Sequence, residues 1–339
     1  YEDLLPILEA DTPPPGVAKP TPGVGEDAPR ILTTLPHTAY VKIAEGCNNP
    51  CAFCIIPQLR GAFVSREPED IDSEIVVLVE QGVVEVNLIS QDTTLYGRDL
   101  DRRLSLADLL AGLIEIPGLR WIRLLYLYPT MVTDQLLNIM SEDNSILPYF
   151  DIPLQHSHSA VLKRMKRAER EADVYKLIQR IRNKIPHATI RTTFIVGFPG
   201  ESEAEFQHLY DFIKETRFDH VGVFTYSDEQ GTTAFDLEDK IPADIAQERR
   251  DRLMALQQTI SQEKLATFIG KTIPVLVEGV SEENEWLLEG RTMGQAPDVD
   301  GVVYINDGSP KIGSVVDIEI TEAYEYDLVG HLKTVRDTP

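Results

Sequence analysis

The chain has 339 residues, 42% of them apolar, which is enough to bury a large core and suggests two domains, or one large and one small. No apolar run approaches the ~20 residues of a membrane helix, and the acidic start Tyr1-Glu2-Asp3 lacks the basic and apolar regions of a secretory leader. A formal charge of −23 repels phosphate backbones, so it argues against a primary RNA partner and for either simple solubility or a basic one.

Seven prolines between residues 11 and 36, with glycines among them, predict an extended linker, and residues 1–36 read as linker or the remnant of a preceding domain. From residue 39 strands alternate with helices. Strands are expected at 39–44, 83–90, 119–127, 149–152, 189–196 and 220–226. Helical patterns lie between them at 70–81, 105–114, 133–141, 159–166, 171–184 and 202–216. Such βα repeats, with largely apolar strands, predict a parallel sheet with helices outside, either open or curled into a partial barrel. A charged helix over 242–269 ends at Gly270. Beyond it, period-2 strands at 272–277, 286–289, 302–305, 315–320 and 327–332 predict a small antiparallel barrel. The expected units are therefore 37–270 and 271–339.

Three cysteines, Cys47, Cys51 and Cys54, are all the chain has, and they follow the first expected strand. So few thiols suit a reducing, cytoplasmic setting. CxxxCxxC offers three thiolates to one centre. A 4Fe–4S cluster is usually held by four, so three leave one iron open to a ligand. A closed zinc site would need a fourth ligand from His37, His156 or His158, and a disulfide would leave one thiol over.

Polar or glycine-bearing sequences close successive strands: Gln91-Asp92, Tyr126-Leu127-Tyr128-Pro129, Gln155-His156, and Gly197-Phe198-Pro199-Gly200-Glu201. Each alone reads as a turn. Their recurrence on the rim that carries the cysteines reads as a ligand pocket. The basic run Lys163-Arg164-Met165-Lys166-Arg167 reads as a solvated helix face before it reads as an RNA contact.

CxxxCxxC with Phe53 before the third cysteine resembles the radical S-adenosylmethionine (SAM) enzymes. That resemblance implies a partial (β/α)6 barrel, a 4Fe–4S cluster on the three cysteines, and SAM chelated at the open iron and cleaved to a 5′-deoxyadenosyl radical. It also places Gln91 and Asp92 near the SAM amino group and Phe53 near the adenine. Gln155, Gly197 and Phe198 would line the rest of the pocket, and Arg191, on an apolar strand, would meet the SAM carboxylate. No general acid or base is assigned.

The segments Ala39–Cys47, Ile55-Ile56-Pro57 with Arg60-Gly61, Pro153–His156 and Thr193–Glu201 further resemble the methylthiotransferases, which replace C–H by C–SCH3 and end in a TRAM domain, a small β-barrel. Tyr226–Thr232, Arg291–Gly301 and Tyr326–Gly330 are similar to the class that modifies an aspartate of a small-subunit ribosomal protein rather than a tRNA adenosine. Residues 271–339 carry 14 acidic and five basic side chains, a net of −9, which suits a basic protein better than RNA. A non-catalytic metal-binding module that docks on basic proteins is the alternative from another class. The resemblance also implies an external electron donor, and a second 4Fe–4S cluster in an N-terminal domain for which this chain has no spare cysteines.

Overall fold

The computed structural model describes residues 32–282 and 284–333, so the proline-rich stretch through residue 31 and Glu283 lie outside the described residues. Six strands build the larger unit: β1 (Thr38–Lys42), β4 (Glu85–Ile89), β5 (Trp121–Leu124), β6 (Tyr149–Asp151), β7 (Thr189–Val196) and β8 (His220–Thr225). β1, β4 and β5 pair in parallel, as do β6, β7 and β8. A bridge between Ile122 and Ile146, with Leu127 N–H to Asp151 O at 2.8 Å, joins the two halves in sequence order. The result is an open (β/α)6 barrel with helices on its outer face.

Alternation decides what each strand presents to which side. On β7 every second residue, Ile190, Thr192, Phe194 and Val196, is buried, and the apolar ones pack toward the helices. On β4, Val86 and Leu88 do the same, which leaves Glu85, Asn87 and Ile89 on the inner face. The helices α2 (Pro68–Glu80), α3 (Leu106–Leu113), α4 (Asp134–Glu142), α6 (Glu171–Lys184) and α7 (Glu203–Thr216) supply the matching apolar stripe. Capping boxes at Ser105/Asp108 and Ser202/Glu205 satisfy the first amides of α3 and α7. Two features escaped the sequence pattern because they are too short to show a period. One is the five-residue helix α1 (Ile56–Arg60); the other is a two-stranded ribbon of β2 (Ala44–Glu45) and β3 (Val64–Ser65) flanking the cysteine loop.

A long helix, α8 (Ala243–Ala266), leads to a closed five-stranded barrel. Its strands are β9 (Thr272–Val280), β10 (Leu288–Thr292), β11 (Val303–Asp307), β12 (Val315–Ala323) and β13 (Leu328–Leu332), in the order β10-β11-β13-β12-β9. The expectation of a wholly antiparallel barrel needs one correction: β11 and β13 pair in parallel. They are not joined by a hairpin, because β12 intervenes in sequence and pairs on the other side of β13.

This second barrel sits against the N-terminal ends of the strands. Glu85, the first residue of β4, is fully buried and ion-paired to Arg123 of β5 (3.0 Å) and Arg291 of β10 (2.5 Å). Arg291 also reaches Glu278 at 2.8 Å. From the loop after β10, the Met293 carbonyl accepts from Arg123 (2.9 Å) and the Gly294 carbonyl meets His220 (2.7 Å). Asp300 accepts from Tyr149 (2.6 Å) and Arg191 (2.8 Å).

That loop corrects part of the acidic-surface expectation. The Asp300 side chain is buried, Asp298 stays exposed while accepting from the Tyr40 hydroxyl (3.3 Å), and Asp327, just before β13, accepts from Val302 N–H (2.8 Å). Glu282, Glu285 and Glu322 remain exposed.

Candidate functional site at the C-terminal rim

The opposite end of the barrel carries the cysteines. Gly46 opens their loop at φ +77°, and a Cβ there would lie 2.2 Å from the Ala62 carbonyl oxygen, so this bend accepts glycine alone. The loop is tied down at both sides. Ala52 N–H donates to Met165 O (2.9 Å), and Ala234 N–H donates to Ala52 O (2.8 Å). Asn48 Oδ1 accepts from Phe63 N–H (3.0 Å), and Asn49 Nδ2 donates to Asp92 (2.7 Å). Ala52 packs in a small apolar cluster with Val161, Met165, Phe198 and Ala234, and Phe53 lies at its margin.

Cys47 is buried, Cys51 and Cys54 are half-buried, and all three are free thiols. Burial pushes the Cys47 and Cys51 thiols up from their ordinary range; at Cys51 the Arg167 guanidinium opposes it. Asn49 N–H approaches Cys47 Sγ at 3.5 Å, and Arg167 Nη1 approaches Cys51 Sγ at 3.7 Å. Among the described residues no three thiol, imidazole or carboxylate groups are already gathered as a metal site. The loop therefore offers neighbouring thiols, not a closed cage. Each histidine considered as a fourth zinc ligand is engaged elsewhere. His37 faces Glu278 at the far end of the barrel (4.0 Å), His156 meets Glu201 (3.4 Å), and His158 accepts from Ala160 N–H (3.3 Å). The donor set thus suits a three-thiolate cluster better than closed zinc coordination.

Asp92, at the end of β4, is 1% exposed; burial raises its pKa against hydrogen bonds from Thr94 and Asn49. Through Asn49 it is bonded directly to the cysteine loop. Gln91 beside it is exposed. Gln155 takes a left-handed backbone (φ +67°) while bridging to β7 through Thr193 O and Ile195 N. Gly197 is left-handed too, and a Cβ there would meet Ala246 at 2.5 Å. It lines a cavity of about 250 Å3 with Tyr226, Asp228 and Lys240. Its N–H donates to buried Glu201, which Arg249 also contacts (3.2 Å). Phe198 is fully buried beneath Ala52 and packs edge-on to Tyr226 at 5.2 Å, so it supports the cysteine loop from below.

Arg191 is the correction among the predicted site residues. Its guanidinium is committed to Asp300 (2.8 Å) and faces Asp151 (3.6 Å), beside the loop that plugs the other end of the barrel. The inner-facing position on β7 was legible; the carboxylate arriving from a distant domain was not.

Arg167 is a rim residue that the sequence pattern did not single out. It closes the basic run read above as a solvated face, yet its side chain is 5% exposed. It pairs with Glu169 (2.6 Å), donates to Pro153 O (3.0 Å) and stacks over Tyr128 (4.2 Å). The neighbouring Arg164 likewise binds inward, to Gly200 O and Glu205. Glu169 was the available signal, since a cation–anion pair two residues apart is also what a buried pair requires.

Comparisons with known proteins agree with this geometry. The radical SAM superfamily profile matches residues 41–213, and the TRAM domain profile matches 269–332. Curated relatives named ribosomal protein uS12 methylthiotransferase RimO are close in sequence. That of Anaeromyxobacter sp. (strain K) is 46% identical over 98% of this chain and 71% of its own length. That of Solibacter usitatus is 50% identical over 90% and 66%, and that of Aquifex aeolicus is 48% identical over 89% and 70%. The chain thus spans about two thirds of the length of the relatives it matches. Among solved structures, coproporphyrinogen III oxidase HemN from Escherichia coli, described as a radical SAM enzyme, superposes with a TM-score of 0.50. It is 16% identical and covers 68% of this chain and 54% of its own, a likeness of fold alone.

Proposed function

The chain belongs to the radical SAM superfamily and, within it, to the family of uS12 methylthiotransferases of the RimO type, and from that premise we propose that it acts on an aspartate of a basic small-subunit ribosomal protein, replacing a β-carbon C–H by C–SCH3. The observation that carries the reading is the rim itself: three free thiols on a braced loop, beside buried Asp92 and buried Arg167. When bound, the cluster and SAM would supply the hydrogen-abstracting chemistry.

The chain's own residues place and shield that chemistry. Cys47, Cys51 and Cys54 would hold the cluster. Asp92 and Gln91 would bind the SAM amino group, Phe53 would meet the adenine, and Gln155 and Gly197 would line the rest of the pocket. Arg167 takes the carboxylate role first assigned to Arg191, because it is the buried cation that touches the cysteine loop. Phe198 acts by supporting that loop. The functional units are 37–270 and 271–339, with 1–36 as linker. No helix of the described residues is long and apolar enough to cross a membrane, and a cytoplasmic setting with an external electron donor completes the reading.

The three cysteines provide for one cluster, so a second cluster that supplies sulfur would have to be held by thiols other than these. Anaerobic reconstitution tests this. The chain alone is expected to hold one cluster and release 5′-deoxyadenosine under reduction, without methylthiolated product. Catalytic methylthio transfer by this chain alone would overturn the sulfur assignment. Tighter binding of a tRNA anticodon arm than of the ribosomal protein, at equal salt, would replace the substrate reading.

A further inference from the structure

Tyr126 follows β5 at the rim and holds a left-handed backbone, φ +59°. A bulky residue adopts this region at a steric cost that glycine avoids. The surroundings over-determine it. Tyr126 N–H donates to Asp151 Oδ2 (3.0 Å), Tyr126 O accepts from Thr93 N–H (3.0 Å), and the next amide, Leu127, donates to Asp151 O (2.8 Å). Asp151 is itself buried in the barrel. The reversal breaks the alternation of β5, so that Leu127 enters the core while the Tyr126 ring stays 49% exposed. Among the described residues that ring has no stacking, cationic or hydrogen-bonding partner.

The position ties Tyr126 to the cysteines. Asp92 precedes Thr93, which bonds the Tyr126 carbonyl, and Asp92 in turn accepts from Asn49 of the cysteine loop.

We propose that Tyr126, fixed in a strained backbone by Asp151 and Thr93, is a substrate-contacting residue that sets specificity at the barrel mouth. Its face receives a lysine or arginine side chain of the polypeptide loop that carries the target aspartate. A strained, exposed ring beside a reactive site points to binding, because folding alone would favour glycine there. A cationic partner follows from the chain's charge of −23 and from the attraction of an aromatic face for guanidinium and ammonium groups. The inference rests on the ribosomal-protein reading above and names how that substrate is gripped.

The test is the affinity of the chain for a fluorescent peptide bearing an aspartate flanked by lysine and arginine, read by anisotropy, which needs no turnover. Tyr126→Gly keeps the left-handed backbone without cost and removes the ring. Tyr126→Asn, which also tolerates that region, repeats the test should glycine loosen the loop. Both are expected to weaken binding about tenfold with the melting temperature unchanged or raised, and Tyr126→Phe to bind within about twofold of the parent. Peptide binding by Tyr126→Gly and Tyr126→Asn within twofold of the parent would overturn the inference alone. A parent chain that ignores the peptide would overturn the substrate reading and this inference with it.

Discussion

The two ends of the (β/α)6 barrel are built on opposite plans. At the N-terminal ends of the strands the buried charges are paired across the two domains: Glu85 with Arg123 and Arg291, Asp300 with Tyr149 and Arg191, Met293 O and Gly294 O with Arg123 and His220. At the C-terminal rim groups are braced but left over: three free thiols, an exposed Gln91, a strained exposed Tyr126, and Arg167 turned toward Cys51. One end seals the barrel with a second domain. The other leaves thiols and polar side chains without partners from a second domain. Buried charge serves both ends, but only at the sealed end do the opposing charges come from the second domain.

The predictions sharpen that contrast. The largest effect belongs to the rim. Cys47→Ala, Cys51→Ala and Cys54→Ala are each expected to abolish the brown colour, the bound iron and SAM cleavage together, with the fold intact by circular dichroism. A variant that still binds a full cluster and cleaves SAM normally removes that cysteine from the ligand set. Next is Arg167→Gln, expected to lower SAM cleavage roughly 10–100-fold, as loss of a supporting residue beside a metal ligand does. Here the cleavage rate is the measurement, and an unchanged rate would return Arg167 to a structural role.

The sealed end is expected to respond in stability instead. Glu85→Gln leaves two buried guanidinium groups without their shared anion and should cost about 3 kcal/mol or more in thermal or denaturant unfolding, with iron content unchanged. Burial alone would raise the Glu85 pKa, but Arg123 and Arg291 prevail and hold it below the ordinary carboxylate range. A depressed folded pKa means the stabilisation is fully present above the unfolded value of ~4.3 and is lost as pH falls through the folded one. The gap between parent and variant should therefore close under acid. The smallest effect is at the outer surface: reversing Glu282, Glu285 and Glu322 to lysine should slow association with a basic ribosomal protein several-fold in a salt-dependent way, with SAM cleavage unaltered.

How much of this was legible in the sequence follows the range of the interactions. Period-2 and period-3.6 patterns are local, so β7 and α6 were placed to the residue and the other principal strands to within a few. The cysteine motif was legible because its chemistry is packed into eight residues. Arg191 and Asp300 were misread because 109 positions separate them, and no local pattern announces a partner that far away. Arg167 was misread for a related reason: a run of lysines and arginines describes charge but not which member turns inward. The parallel pairing of β11 with β13 is likewise a property of topology, set by where β12 returns.

The central claim is that the thiols of Cys47, Cys51 and Cys54 hold a 4Fe–4S cluster with one iron free for SAM. Mössbauer spectroscopy of the iron-57-reconstituted chain, with and without SAM, tests it most directly. The account predicts about four irons per chain, with one site of the four shifting when SAM is added. About one zinc per chain with no SAM binding, or four irons that are indifferent to SAM, would contradict it.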